Sequence, residues 1–172
     1  KGVALFIQHG NRDFFLGKRF CKATGATLLA DEHLVEFNDQ ELLVMHGDTL
    51  CTDDVDYIRF RQRIRHPISK FLLQLLPLKA RQKLAHNMRA KSKAANANKP
   101  SAIMDVNLNA VEKVMSKHQV KTLIHGHTHR PNRHQQKQGE RIVLGDWHDR
   151  GWYVIWDTAG LELNHFKIPV CE

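Results

Sequence analysis

Three apolar runs in this sequence each stop at a glycine set among polar side chains, and this repeated ending restricts the fold more than any other feature. Val3 to Gln8 leads into Gly10-Asn11-Arg12-Asp13, Glu41 to Met45 into His46-Gly47-Asp48, and Val120 to Ile124 into Gly126-His127-Thr128-His129. Short apolar runs of this kind read as strands packed on both faces, which places the chain among α/β folds with helices between the strands. In an open α/β sheet the carboxyl ends of the strands share one edge, and ligands bind there. The three polar clusters are therefore expected to converge.

The chain has 172 residues, 42% of them hydrophobic and 26% charged. That suffices for one domain with a buried core and excludes a disordered or collagen-like chain. Its three cysteines, Cys21, Cys51 and Cys171, are too few and odd in number for a secreted disulfide framework, which points to a reducing compartment. The longest apolar stretches, Val3 to Ile7 and Phe71 to Leu78 with Pro77 inside it, fall well short of the roughly 18 residues of a membrane span.

The net charge of +8 is not spread evenly. Twelve of the 26 Lys and Arg lie between Tyr57 and Pro100, where there is no Asp or Glu, which leaves fourteen basic against eighteen acidic residues elsewhere. The pattern predicts a basic helical cap inserted over 54–100 into an α/β domain that spans 1–172. Such a charge calls for an anionic partner: nucleic acid, a phosphorylated metabolite or acidic lipid.

Elsewhere, Asp13 is expected to N-cap a helix through Thr24 that stops at Gly25, and Thr27–Leu29 and Leu34–Phe37 read as strands, with a turn at Asn38-Asp39. Within the cap, Tyr57, Phe60 and Ile64 recur at helical spacing, Ile68–Leu76 is apolar almost all round, and Pro67 and Pro77 punctuate the segment before a basic helix over Lys79–Arg89. Ser101 is expected to cap a helix that turns Ile103, Val106, Ala110 and Val114 inward. Residues 132–168 read as a strand meander with turns at Gly139, Gly145 and Gly160.

Two histidines at i and i+2 on a turn, joined by a third histidine and an amide oxygen from neighbouring strands, make a mixed nitrogen and oxygen donor set suited to Mn²⁺, Zn²⁺ or Fe²⁺. One such histidine alone would be ordinary loop chemistry; the coincidence of His46, His127 and His129 with Asn11 at strand ends favours a metal. His125 is expected to pack or to hydrogen-bond behind the ligands, and His148 is ambiguous.

The clusters resemble the last three motifs of the calcineurin-like metallophosphoesterases. Residues His46 to Asp54, the stretch Arg89-Ala90-Lys91-Ser92-Lys93 with Asn96 and Lys99-Pro100, Ala102 to Asn107, and Ile124 to Pro131 extend this resemblance over essentially the whole chain. They point to the lipid A branch of that family, the UDP-2,3-diacylglucosamine diphosphatases. The resemblance implies the C-terminal portion of a metallophosphoesterase sandwich with an inserted cap. It also implies two Mn²⁺ ions whose bridging hydroxide attacks the pyrophosphate of UDP-2,3-diacylglucosamine, giving UMP and the diacylglucosamine 1-phosphate. By the same resemblance Asn11, His46, His127 and His129 are metal ligands, and Asn11, Arg12, Asp54, Ser92, Asn96, Lys99 and His127 contact substrate.

Arg12 stands where most members have histidine. As a permanent cation it is suited to clamping phosphate, so Arg12 and His127 are the expected catalytic residues. The cap would enclose acyl chains and hold the enzyme on the anionic cytoplasmic face of the inner membrane, with no nucleic acid as partner. Two rivals are a phosphoesterase for another nucleotide or phosphodiester, which needs a hydrophilic cleft, and a non-catalytic basic module for RNA or acidic lipid. The second lacks the interleaved aromatics of single-strand binders. The family's Asp-x-His and Gly-Asp motifs do not occur ahead of Gly10, and the sequence opens on Lys1-Gly2. The chain is therefore expected to be the C-terminal part of a longer enzyme, with little activity by itself.

Overall fold

The computed structural model describes residues 2–97 and 103–169. The chain divides into two compact units, one of residues 1–50 and 106–172 and one of 51–105.

The first unit is built on a five-stranded mixed sheet in the order β3-β4-β5-β7-β6. Its strands are β3 (Glu32–Phe37), β4 (Gln40–Met45), β5 (Thr122–His125), β6 (Asn132–Gln136) and β7 (Gly139–Val143). β4, β5 and β7 are parallel neighbours, with Val44 opposite Ile124 and Ile124 opposite Ile142. Alternation along the pleat therefore places Leu42, Ile124 and Ile142 on one face and Leu43, Leu123, His125 and Arg141 on the other. Against the first face pack Val154, Trp156, Leu161 and Leu163. These come from the antiparallel hairpin of β8 (Arg150–Asp157) and β9 (Gly160–Lys167), giving a sheet-on-sheet sandwich.

Leu43, Leu123 and Ile142 are fully buried, each contributing about 1.5–3 kcal/mol by removal from water. α5 (Leu108–His118) adds buried Val111, Val114 and Met115. It starts later than the sequence suggested. Asn107 caps it, its side chain accepting from the amides of Asn109 and Ala110, so Val106 is buried ahead of the helix and Ile103 precedes it. Ser101 lies outside the described residues.

The N-terminal part departs most from expectation. Only Phe6–Ile7 form β1, paired in parallel with β2 (Thr27–Leu28), and Val3, Leu5 and Phe6 are exposed, not buried on both faces. A two-stranded ribbon offers little surface to bury against. α1 is short, Lys18–Thr24, with Gly17 at its N-cap and Gly25 left-handed at its end. Asp13 does not cap it: its carboxylate accepts instead from the Gly10 amide at 2.5 Å, closing the Gly10–Asp13 loop.

The second unit holds α2 (Val55–Arg65), α3 (Pro67–Leu75) and α4 (Leu78–Ala97). Pro67 sits in the first turn of α3, where its missing amide costs nothing. No residue of α2 or α3 is buried. Ile68, Phe71, Leu72 and Leu75, at i, i+3, i+4 and i+7, form an exposed apolar face and not the interior of a bundle.

Candidate metal and phosphate site

Because β4, β5 and β7 are parallel, their carboxyl ends lie at one edge, and each is followed by a glycine-bearing polar turn: His46-Gly47-Asp48, Gly126-His127-Thr128-His129 and Gly145-Asp146. The Gly126 amide donates to the His46 carbonyl at 3.0 Å, tying the first two turns together. The Gly10–Asp13 loop joins them through Gln8, whose side-chain amide lies 3.1 Å from the Val44 carbonyl of β4 and 2.6 Å from that of Ala30. His9 donates from Nε2 to the Leu16 carbonyl at 2.7 Å and holds the far end of that loop.

His46 and His127 meet at the centre. His46 Nε2 lies 3.2 Å from His127 Nδ1, with the rings edge to face, and the Asn11 backbone amide donates to His46 Nε2 at 3.3 Å. His46 Nε2 is thus an acceptor whose lone pair faces the cluster. Two imidazole nitrogens each about 2.0–2.1 Å from one ion would stand about 3 Å apart, so this spacing fits a shared divalent cation. The close packing is made possible by Gly10, where a Cβ would come within 3.2 Å of the His46 ring. Among the described residues no three His, Cys, Asp or Glu side chains gather as a complete metal cage. The set here is two imidazoles, with the Asn11 backbone held against His46 by its amide.

His127 and His129 both have left-handed backbones, with φ of 66° and 54°. Outside glycine this costs on the order of 1–2 kcal/mol per residue, and such strain gathers at functional turns. His129 is more exposed and stands 3.7 Å from Asp146 at the end of β7. Asp146 was missed in reading the sequence, although it follows Gly145 just as the other polar residues follow their glycines. His148 lies in solvent beside Asp149 at 3.9 Å. Arg12 is exposed and forms no ion pair among the described residues, so its guanidinium is available to a phosphate.

The remaining candidates belong to the helical unit. Asp54 is the N-cap of α2, accepting from the Tyr57 amide at 3.1 Å. Ser92, which is exposed, and Asn96 lie one turn apart on α4, and Lys99 falls outside the described residues.

This is an α/β protein with two imidazoles, His46 and His127, brought together at a parallel-strand edge. A UDP-2,3-diacylglucosamine hydrolase of Pseudomonas putida is 47% identical over 170 residues, covering 96% of this chain and 71% of its own length. One of Pseudomonas savastanoi pv. phaseolicola is 48% identical over 169 residues, 96% of this chain and 68% of that protein. The chain belongs to the UDP-2,3-diacylglucosamine hydrolase family. No family model matches it. A solved archaeal phosphodiesterase aligns over 97% of this chain and 70% of its own with a TM-score of 0.48 and 13% identity.

Proposed function

We propose that the chain carries the catalytic edge of a hydrolase that cleaves the pyrophosphate of UDP-2,3-diacylglucosamine, giving UMP and 2,3-diacylglucosamine 1-phosphate for lipid A synthesis. The observation that carries this reading is the convergence of His46 Nε2 and His127 Nδ1 at 3.2 Å, in a chain whose relatives are named UDP-2,3-diacylglucosamine hydrolases. His46, His127 and the Asn11 side chain would hold one divalent ion, Mn²⁺ in this reading, and His129 would serve a second. When bound, such ions lower the pKa of a water and offset charge on phosphoryl oxygens.

The chain's own residues do the rest. Arg12 clamps the phosphate through two parallel N–H donors and stays charged at every working pH. The loop closed by Asp13 and His9 holds the Asn11 backbone amide against His46. In the helical unit, Asp54, Ser92, Asn96 and Lys99 bind substrate. The apolar face of α3 takes acyl chains, and the basic side chains of α2 and α4 hold the enzyme on the anionic cytoplasmic face of the inner membrane, at about 1 kcal/mol per basic residue near the surface.

The test is Mn²⁺-dependent release of UMP from UDP-2,3-diacylglucosamine by the polypeptide at its relatives' length and by the 172-residue chain alone. His46→Ala and His127→Ala should each abolish most turnover, and Arg12→Lys should slow it substantially. Near-normal turnover in either histidine variant refutes the metal reading. An equal KM for deacylated substrate moves the assignment to a soluble nucleotide phosphoesterase. Charge reversal at exposed Lys79 and Lys83 should weaken binding to anionic vesicles in a salt-dependent way without slowing hydrolysis in detergent.

A further inference from the structure

Among the described residues the buried polar side chains are Asp48, His125 and Arg141, and two of them meet. Arg141 Nη1 lies 3.1 Å from His125 Nε2. A guanidinium only donates, so Nε2 accepts and the proton of a neutral ring resides on Nδ1. His125 Nδ1 lies 2.9 Å from the Gly126 carbonyl, which only accepts. Both partners therefore prescribe the same tautomer.

Strand register brings the two together. Arg141 of β7 pairs with Leu123 of β5, and His125, two residues on, points to the same face. The carbonyl that His125 holds opens the turn carrying His127 and His129, the two left-handed residues. At that same edge the ring abuts Gly47, whose φ is 103° and where a Cβ would lie 2.7 Å from His125 Nδ1 and 3.2 Å from the Gly126 carbonyl. His125 thus touches the turn that presents His46 as well as its own, which presents His127.

We infer that Arg141 and His125 are positioning residues. The buried guanidinium fixes His125 with its proton on Nδ1, and His125 anchors the Gly126 carbonyl so that residues 126–129 present His127 Nδ1 to His46 Nε2 for a divalent cation. This rests on reading that pair as a cation site.

Two measurements test it. Nitrogen NMR of the metal-free, histidine-labelled protein should show His125 with its proton on Nδ1; a proton on Nε2 overturns the inference. Calorimetric titration with Mn²⁺ should show binding weakened tenfold or more in Arg141→Met and partly restored in Arg141→Lys. His125→Asn, whose amide N–H reaches the place of Nδ1, should lose less than His125→Phe. Thermal midpoints of the metal-free variants separate loss of fold from loss of positioning. Wild-type Mn²⁺ affinity in Arg141→Met and His125→Phe, or equal losses for Asn and Phe at 125, overturns the inference. Intact Mn²⁺ binding in His46→Ala would instead refute the cation reading, whereas loss there with none in Arg141→Met defeats the positioning role alone.

Discussion

In the sheet unit Leu43, Leu123 and Ile142 have no exposed surface, whereas in the helical unit Ile68, Phe71, Leu72 and Leu75 expose between 57% and 66% of theirs. Both sets come from apolar stretches of the sequence. The sheet residues are held between layers and supply stability. The residues of α3 form a continuous face that no described residue buries. The unit richest in positive charge is also the one whose hydrophobic surface is unspent. The unit carrying the imidazoles has the rigid core that ligand geometry needs.

The largest effect should separate the two units directly. Leu123→Ala is expected to cost about 2–5 kcal/mol in urea denaturation, since it empties a fully enclosed site. Leu72→Ser should cost about 0.5 kcal/mol or less. Equal costs would mean that α3 is core after all.

Next in size are the caps, one in each unit. Asn107→Ala should cost about 1 kcal/mol by freeing two amides of α5, and Asp54→Ala about as much in α2. Asp54→Asn sharpens the comparison, because it keeps an N-cap while removing charge. Unchanged helicity by circular dichroism with a raised KM would give Asp54 a substrate role beyond its capping one.

The left-handed turn should show a trade of stability against binding. His129→Gly relieves the backbone at φ 54° and is expected to stabilise the metal-free protein by about 1 kcal/mol or less while weakening Mn²⁺ binding.

The smallest effect concerns the ion cluster joining β3 to α5. Burial pushes the Glu32 carboxyl up, but hydrogen bonds from His118 at 2.5 Å and Lys117 at 2.6 Å, with their charges, outweigh it and leave its pKa below the ordinary 4.5. A carboxyl depressed on folding adds stability that is full above its unfolded pKa and is lost as pH falls through its folded one. Glu32→Gln should therefore lower stability at neutral pH by under about 1 kcal/mol and flatten the acid limb below pH 4.5. An unchanged acid limb would sever this cluster from the fold's pH response.

Much of the site was legible because its chemistry is local. An apolar run followed by glycine and histidine announces a strand end, and His46 and His127 could be chosen without knowing what lay between them. The breaks at Pro67 and Pro77 were equally plain, because proline limits its own backbone wherever it stands.

What tertiary structure alone decided involves partners far apart in the chain. β1 reads as a fully buried strand, yet only two of its residues pair, with β2. Asp146 meets His129, and Arg141 meets His125, because parallel strands set a register across long crossovers that no local periodicity encodes. A sequence states which side chains a strand carries and on which alternating face. Which neighbour comes to lie beside each one is settled only when the layers pack and one register buries the core.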